Sequence, residues 1–243
     1  MGDAAGLLLI SNLGEGEWRT AIEPREPAEV VLGRIGRTPL PPYIARSEAD
    51  VDGLDQERYQ TVFARKPGAI AAPTAGLHMT QDMLDHLRNR GVNIAFVTLH
   101  VGLGTFKPIT ATCLSEHVMH SEAYEVPAET IAAVASCKSH GGRVVAVGTT
   151  TVRVLESVAR DHAGFEGIRN PGESLRGSTD LFIYPPYQFL SIDAMLTNFH
   201  LPRSTLLAMV MAFGGMEQIR ITYAHAIKQK YRFYSYGDAM LIL

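Results

Sequence analysis

The sequence predicts an α/β protein whose main part is a largely parallel sheet flanked by helices. Strand-like and helix-like segments alternate from residue 68 onward, which is the pattern of β-α units. The segment 92–101 is almost continuously apolar, as expected for a strand that is covered on both faces. The 243 residues, 46% hydrophobic and 19% charged, are enough to bury a substantial core.

The first forty residues predict a different kind of structure. Two apolar runs between Leu7 and Ile22 flank the sequence Gly14-Glu15-Gly16, which favours a β-hairpin. A hairpin alone is marginally stable in water, so we interpret it as the remnant of a separate β domain. The many prolines between residues 23 and 42 indicate a linker that follows it.

The α/β part begins with a helix over 81–90, which Thr80 can cap, and the apolar strand 92–101 follows. Pro127 opens a second helix over 128–139, and two glycines end it before a strand over 143–147. A third helix follows Gly148, and the segment 161–178 is a polar loop. We then expect strands near 180–184 and 192–197, helices over 203–213 and 217–229, and a final strand over 239–243.

Composition excludes several classes of protein. The sequence contains neither an apolar run long enough to span a bilayer nor a signal peptide, so we expect a cytoplasmic protein without membrane contact. Cys113 and Cys137 are too few for a disulfide framework or a cysteine zinc site. The net charge of -3 neither favours nor excludes RNA binding, because a basic surface can be local.

Two candidate sites contain glycines. In the segment 73–78, Gly76 allows close approach of a ligand and His78 can transfer a proton near neutral pH, although His78 can equally hydrogen-bond a loop. Gly102 and Gly104 can bend the backbone around a nucleoside, with Phe106 as a stacking surface, or form a simple turn. The dinucleotide-binding fingerprint is excluded, since its third glycine is missing.

Two further candidates contain charged side chains. His120 and Glu122 suit hydrogen bonding or proton transfer, whereas a metal site that adds His117 is disfavoured by its loop position. The amides and hydroxyls of Thr149 and Thr150 begin a helix, where they can bind a carboxylate or phosphate. Plain helix capping explains them equally well. Arg153 can join this anion site or pair with Glu156 three residues later.

The remaining candidates lie near predicted strand ends in the last third of the chain, where open α/β sheets bind ligands. They are Asp180, His200 and Asp238. A hydrolase with Ser204 and His200 is an alternative, although the Gly-x-Ser-x-Gly elbow is missing and a serine at a helix start is usually a cap. The aromatic turn 234–238 suits stacking on a base or ordinary packing.

Taken together, seven strings resemble the S-adenosylmethionine:tRNA ribosyltransferase-isomerases of queuosine biosynthesis in order and spacing. They are PTAGLH at 73–78, HVGLGTF at 100–106, HSE at 120–122, TTTVR at 149–153, TDLFIYP at 179–185, TNFHLP at 197–202 and YGDAM at 236–240. The resemblance runs from about Arg34 to Leu243. It implies an α/β catalytic domain over 34–243, with residues 1–33 as the remnant of a small β-barrel domain.

The resemblance also implies a reaction and its partners. The ribosyl group of S-adenosylmethionine would be transferred to 7-aminomethyl-7-deazaguanine at the tRNA wobble position and isomerised, giving epoxyqueuosine-tRNA, adenine and methionine. Such chemistry needs a base, an acid and a dry pocket, and no metal or redox cofactor. We expect a monomer. Because family members carry a longer N-terminal part, an RNA-binding remnant without catalysis is the main alternative.

Roles follow for the candidate residues. We assign proton transfer to His78 and Asp180, and binding of the amine or the ribose hydroxyls to His200 and Asp238. Arg153, with the amides of Thr149 and Thr150, is assigned to the methionine carboxylate. The other substrate-binding candidates are Gly76, Gly102, Gly104, His120 and Glu122.

Overall fold

The computed structural model describes residues 6–14, 17–41, 43–44, 52–102 and 109–243. The strands are β1 (Gly6–Gly14), β2 (Glu17–Glu23), β3 (Thr98–Leu99), β4 (Glu122–Val126), β5 (Val145–Val147), β6 (Leu175–Thr179), β7 (Ala194–Asn198) and β8 (Ala239–Ile242). The α-helices are α1 (Ala28–Ile35), α2 (Asp52–Arg58), α3 (Gln81–Asn89), α4 (Ala128–Ser139), α5 (Thr149–His162), α6 (Thr205–Gly214) and α7 (Met216–Lys228). Short 3-10 helices span Thr74–His78, Leu114–Glu116 and Phe165–Gly167.

The N-terminal hairpin is confirmed. Strands β1 and β2 pair antiparallel, from Gly6 opposite Glu23 to Gly14 opposite Glu17. Large apolar side chains of the hairpin remain exposed, including Leu9 and Trp18, at 58% and 46%. The hairpin therefore lies outside the core. The helix α1 forms within the predicted linker and spans the predicted boundary at residues 33 and 34, so the division into two domains stays a prediction.

The prediction of a largely parallel sheet is not confirmed for the described residues. The order β3-β4-β6 forms one sheet, in which both pairings are antiparallel. The order β5-β7-β8 forms another, in which β5 and β7 are parallel and β7 and β8 are antiparallel. A strand buried on both faces is apolar whatever the direction of its neighbours, so the apolar runs did not distinguish these arrangements.

Two strand positions also differ from the prediction. The apolar segment 92–101 contributes only the two residues of β3. The segment 180–184 is not a strand, and β6 lies instead at the end of the predicted polar loop. Because β6 is mostly exposed and contains Gly177 and Ser178, it lacks the apolar alternation by which strands are recognised.

Helix α5 is the central element of the core. Residues 152–159 are all buried, and Val152, Val154 and Val158 have no exposed surface. The helix contacts strands of both three-stranded sheets. Its first turn and its buried polar residues are therefore held rigidly between the sheets, which fixes the position of the candidate residues Thr149, Thr150 and Arg153.

The helix ends confirm the predicted capping. The Thr80 side chain accepts a hydrogen bond from the amide of Met83 at 3.2 Å, and that of Ser204 accepts one from the amide of Leu207 at 3.1 Å. Helix α4 has the predicted bounds. Within the described ranges, no helix combines the length and apolarity needed to cross a bilayer.

Candidate functional site

A buried asparagine at the end of β7 organises the first group of candidate residues. Asn198, 1% exposed, accepts a hydrogen bond from the Thr74 hydroxyl at 3.0 Å, and its amide nitrogen lies 3.3 Å from His78 Nε2. Since an amide nitrogen only donates, Nε2 accepts and the proton of the neutral imidazole is on Nδ1. We call Thr74, His78 and Asn198 the Asn198 group. It orients the imidazole of His78.

Asp238 belongs to the neighbourhood of this group. Its carboxylate accepts hydrogen bonds from the backbone amide of Arg232 at 2.7 Å and from the guanidinium of that residue at 3.2 Å. The backbone hydrogen bond is the main cause that lowers the pKa of Asp238, and the positive charge that His78 can carry lowers it further. The Asp238 carboxylate therefore closes the turn 232–238. It is also close enough to His78 for the two side chains to interact electrostatically.

The turn that carries His78 packs against the start of α5. A Cβ on Gly76 would lie 2.8 Å from the ring of Phe63, so a larger residue would displace this turn. Gly148, at φ +87°, connects β5 to α5, and a Cβ there would lie 3.8 Å from Ala75. Because β5 and β7 are parallel, their carboxyl ends meet at one edge. This edge combines the Asn198 group with the first turn of α5.

His200 lies on a different side of β7. Its Nε2 is 2.7 Å from the hydroxyl of Thr197, and its backbone amide donates to the hydroxyl of Tyr223 at 2.8 Å. Successive side chains of a strand point to opposite faces, so Thr197 and Asn198 direct His200 and His78 to opposite faces of β7. Burial lowers the pKa of His200 to about 4. It is neutral near pH 7.

A buried ion pair between Arg153 and Glu122 connects α5 to the antiparallel sheet. The two side chains are 6% and 5% exposed. The Arg153 guanidinium donates to the Glu122 carboxylate and, at 3.3 Å each, to the carbonyl oxygens of Thr179 and Leu181. Glu122 also accepts from the amide of Gly102 at 2.9 Å. The ion pair thus joins the loop after β3, strand β4 and the end of β6.

The alternative pairing of Arg153 with Glu156 is wrong. Glu156 has no exposed surface and points to the other end of α5, where its carboxylate accepts hydrogen bonds from the loop before β7. The donors are the Tyr187 hydroxyl, the amides of Leu190, Ser191 and Ile192, and the Ser191 hydroxyl. Two acidic residues of similar burial therefore have unrelated roles, one in a salt bridge and one in fixing a loop.

A cleft opens beside the ion pair. Its polar side is formed by Thr149, Thr150 and Arg153. Its other lining side chains are largely apolar, and they are Leu99, Val101, Met119, Leu181, Phe182, Ile183, Thr205, Leu206 and Met209. Gly102 follows directly on a lining residue, whereas Gly104 and Phe106 lie outside the described residues. The cleft encloses only about 20 Å³, roughly the space of one water molecule, so a larger ligand requires its lining side chains to move apart.

Asp180 and His120 have exposed side chains. Asp180 stands between Thr179 and Leu181, whose carbonyl oxygens bind Arg153, so its backbone is fixed while its carboxylate faces solvent. Among the residues that the structure describes, no three His, Cys, Asp or Glu side chains form a group that could bind a metal. His117 packs instead on Phe182, with ring centroids 5.2 Å apart.

Comparison with known proteins identifies the family. The family model described as "Queuosine biosynthesis protein" matches residues 8–242. This chain belongs to the queuosine biosynthesis protein family. The membership confirms the resemblance that the seven sequence strings predicted.

Individual members of the queuosine biosynthesis family align closely. The chain is 49% identical over 235 residues to the S-adenosylmethionine:tRNA ribosyltransferase-isomerase of Trichlorobacter lovleyi, an alignment that covers 97% of this chain and 66% of that protein. A crystal structure of an S-adenosylmethionine tRNA ribosyltransferase from Thermotoga maritima superposes with a TM-score of 0.56 at 35% identity, covering 98% of this chain and 75% of the other. The chain therefore spans just under two thirds of the length of the curated relative.

The candidate site contains residues that the sequence analysis did not select. Asn198 contacts His78 and accepts a hydrogen bond from Thr74, and Phe182 lines the cleft. All three lie inside strings that carried the resemblance. A buried amide at a strand end was a usable signal for Asn198, because such a group needs hydrogen-bond partners from another segment.

Two alternatives for the last third of the chain are resolved by contacts. The Ser204 hydroxyl donates to the carbonyl of Leu201 at 2.7 Å and caps α6, so it is engaged as a cap, which disfavours the hydrolase. The aromatic turn packs internally: Tyr234 lies 5.0 Å from Tyr43 and Tyr236 lies 5.7 Å from Tyr59, between ring centroids. Ordinary packing therefore accounts for this turn.

Proposed function

We propose that this chain catalyses ribosyl transfer and isomerisation from S-adenosylmethionine to 7-aminomethyl-7-deazaguanine at the tRNA wobble position. The products are epoxyqueuosine-tRNA, adenine and methionine. The observation that carries the proposal is 49% identity, over almost the whole chain, to a protein named S-adenosylmethionine:tRNA ribosyltransferase-isomerase. The cleft supports it, since its apolar wall suits a nucleoside and its helix start suits a carboxylate.

The donor carboxylate is assigned to the first turn of α5. The amides of Thr149 and Thr150 are at the positive end of the helix dipole and next to the cleft. Arg153 lies one turn further on, where Glu122 neutralises much of its charge. In this proposal the helix amides supply most of the attraction, and Arg153 mainly holds the cleft wall in position.

Proton transfer is assigned to His78 and Asp180. The reaction removes a proton beside the sulfonium and delivers a proton to the departing adenine. The Nε2 atom of His78 becomes available to the substrate when its hydrogen bond to Asn198 is exchanged for one to the ligand. Asp180 is exposed and can move toward a bound ligand. Asp238 stabilises a protonated His78, and His200 has a positioning role through Thr197.

The deciding experiment incubates the chain with S-adenosylmethionine and tRNA carrying 7-aminomethyl-7-deazaguanine, and quantifies free adenine by chromatography. We expect adenine to appear in proportion to modified tRNA, and none with tRNA that lacks the modified base. His78→Gln should abolish adenine release while donor binding persists, because Gln can hydrogen-bond Asn198 but cannot take a proton at neutral pH. Absence of both adenine release and donor binding in the wild type would refute the proposal.

An RNA-binding protein without catalysis is the second candidate. Saturable binding of modified tRNA without adenine release would establish this candidate instead. The two candidates share the tRNA partner and differ only in turnover.

We further propose that the reaction needs no metal or redox cofactor and that the chain acts as a cytoplasmic monomer. Dialysis against EDTA should leave adenine release unchanged, and sedimentation equilibrium should return the mass of one chain. A loss of activity that added Mg²⁺ restores would contradict the first statement. A dimer mass at micromolar concentration would contradict the second.

A further inference from the structure

Three half-buried aromatic side chains form a cluster beside the cleft. Phe182 is at its centre, with ring-centroid distances of 5.2 Å to His117 and 4.8 Å to Tyr184. The ring planes are inclined at 68° and 45° to that of Phe182. Contacts from two sides restrict rotation of the Phe182 ring. Of the three, only Phe182 is among the residues that line the cleft.

The rest of the cleft lining is apolar except at the first turn of α5, and the side chains around the cleft must separate to admit a nucleobase, because the cleft encloses only about 20 Å³. Leu99, Val101, Ile183 and Met209 are buried and give the cleft an apolar wall. The first turn of α5 provides amides at another part of the same lining. A restrained aromatic ring in an apolar cleft offers a face on which a nucleobase can stack, at little entropic cost, because the ring is already ordered.

We propose that Phe182 is the stacking surface for a nucleobase in this cleft, and that His117 and Tyr184 are positioning residues that hold its ring. The inference rests on the proposed function, which brings two nucleobases to the protein: the adenine of S-adenosylmethionine and the modified base of the tRNA. Both bases present a flat aromatic face to the Phe182 ring. The base that stacks there is therefore identified by which of the two ligands depends on Phe182 for binding.

The test compares matched substitutions in the full chain. Phe182→Leu removes the aromatic face and keeps a large apolar side chain, whereas Phe182→Tyr keeps the face. Phe189→Leu is the control, because Phe189 is also half-buried and makes two edge contacts, 4.9 Å to Tyr187 and 4.9 Å to Phe213, away from the lining of the cleft. Calorimetry measures the affinity of each variant for S-adenosylmethionine and, separately, for an anticodon stem-loop carrying 7-aminomethyl-7-deazaguanine.

We expect Phe182→Leu to weaken one ligand by about five- to one-hundred-fold, with Phe182→Tyr and the Phe189 control within about twofold of wild type. Weaker donor binding identifies adenine as the stacked base, and weaker stem-loop binding identifies the tRNA base. Unchanged affinity for both ligands overturns the inference and leaves the proposed function intact. A wild type that binds neither ligand overturns both.

A second measurement tests the inference even if the Phe182→Leu variant does not fold. Phe182→Trp places a fluorophore at the cleft, and a stacked base should quench its emission on addition of the ligand that binds. The same titration of Phe189→Trp and of wild type, which contains only Trp18, corrects for emission from elsewhere. If ligand binding leaves the emission of Trp at position 182 unchanged, the inference is overturned.

Discussion

Substitution of Arg153 is expected to cost more stability than donor affinity. From its position after a helix start, Arg153 could bind an anion or pair with Glu156, and the family resemblance favoured binding of the donor carboxylate. In the structure its guanidinium donates to Glu122, Thr179 and Leu181, and its side chain is 6% exposed. The perturbation that separates these roles is Arg153→Met, which keeps the volume of the aliphatic stem and removes the charge.

The magnitude follows from burial. Removing one partner of a buried ion pair costs about 3–5 kcal/mol, because the remaining charge stays in a poorly solvated site. An exposed pair is worth only about 0–1 kcal/mol. At 6% and 5% exposure, Arg153 and Glu122 belong to the first case. The double variant Arg153→Met with Glu122→Gln should be less destabilised than Arg153→Met alone, since it contains no uncompensated charge.

The assay is urea unfolding followed by far-ultraviolet circular dichroism. The fluorescence of Trp18 is unsuitable, since Trp18 lies in the exposed hairpin and does not report on the core. Wild type, both single variants and the double variant form a cycle whose coupling energy should be at least about 2 kcal/mol. A loss below about 1 kcal/mol for Arg153→Met, together with donor binding at least tenfold weaker, would refute the structural role and restore the donor-binding one.

Three further outcomes are expected. Between about pH 6.5 and pH 4 the wild type should lose stability as the pH falls, because burial holds the folded-state pKa of His200 at about 4 and protons therefore bind the unfolded chain preferentially. His200→Gln should flatten the pH dependence of the urea unfolding midpoint in this range. Parallel pH profiles of the two proteins would contradict this. Glu156→Gln should lower the free energy of unfolding by about 2–4 kcal/mol, since one oxygen cannot accept all of the hydrogen bonds of the carboxylate. The control Glu129→Gln, at an exposed position, should change the unfolding midpoint little. Equal midpoints for the two variants would reject the role of Glu156 in anchoring the loop. Gly237→Ala should lower the melting temperature by several degrees, because its Cβ would lie 2.5 Å from backbone atoms of the preceding turn, and an unchanged melting curve would show that the turn relaxes freely.

Local signals predicted the local structure well. The caps Thr80 and Ser204, the bounds of α4 and the start of α5 all follow from residues within one turn of the feature. The hairpin likewise depends on a glycine turn between two apolar runs. These features are encoded within about ten residues, so a single sequence suffices for them.

Long-range pairings could not be predicted. The partner of Arg153 is Glu122, 31 positions away, whereas the sequence offered the helical neighbour Glu156. The direction of the pairing between β4 and β6 depends on how the intervening segment returns to the sheet, which side-chain periodicity does not encode. Similarly, His78 and His200 contact neighbouring residues of β7, Asn198 and Thr197, whose side chains point to opposite faces of the strand. The sequence alone does not reveal these two contacts.

The contacts of the aromatic turn 234–236 have a consequence during synthesis of the chain. The hydroxyl of Tyr43 contacts the side chain of Ser235, its partner 192 positions later, and Tyr59 packs on Tyr236. At about 5–20 residues per second, a ribosome needs roughly 10 to 40 s to make the intervening segment. During that interval the early aromatic side chains are without their native partners, so this part of the fold can be completed only after nearly the whole chain has been made.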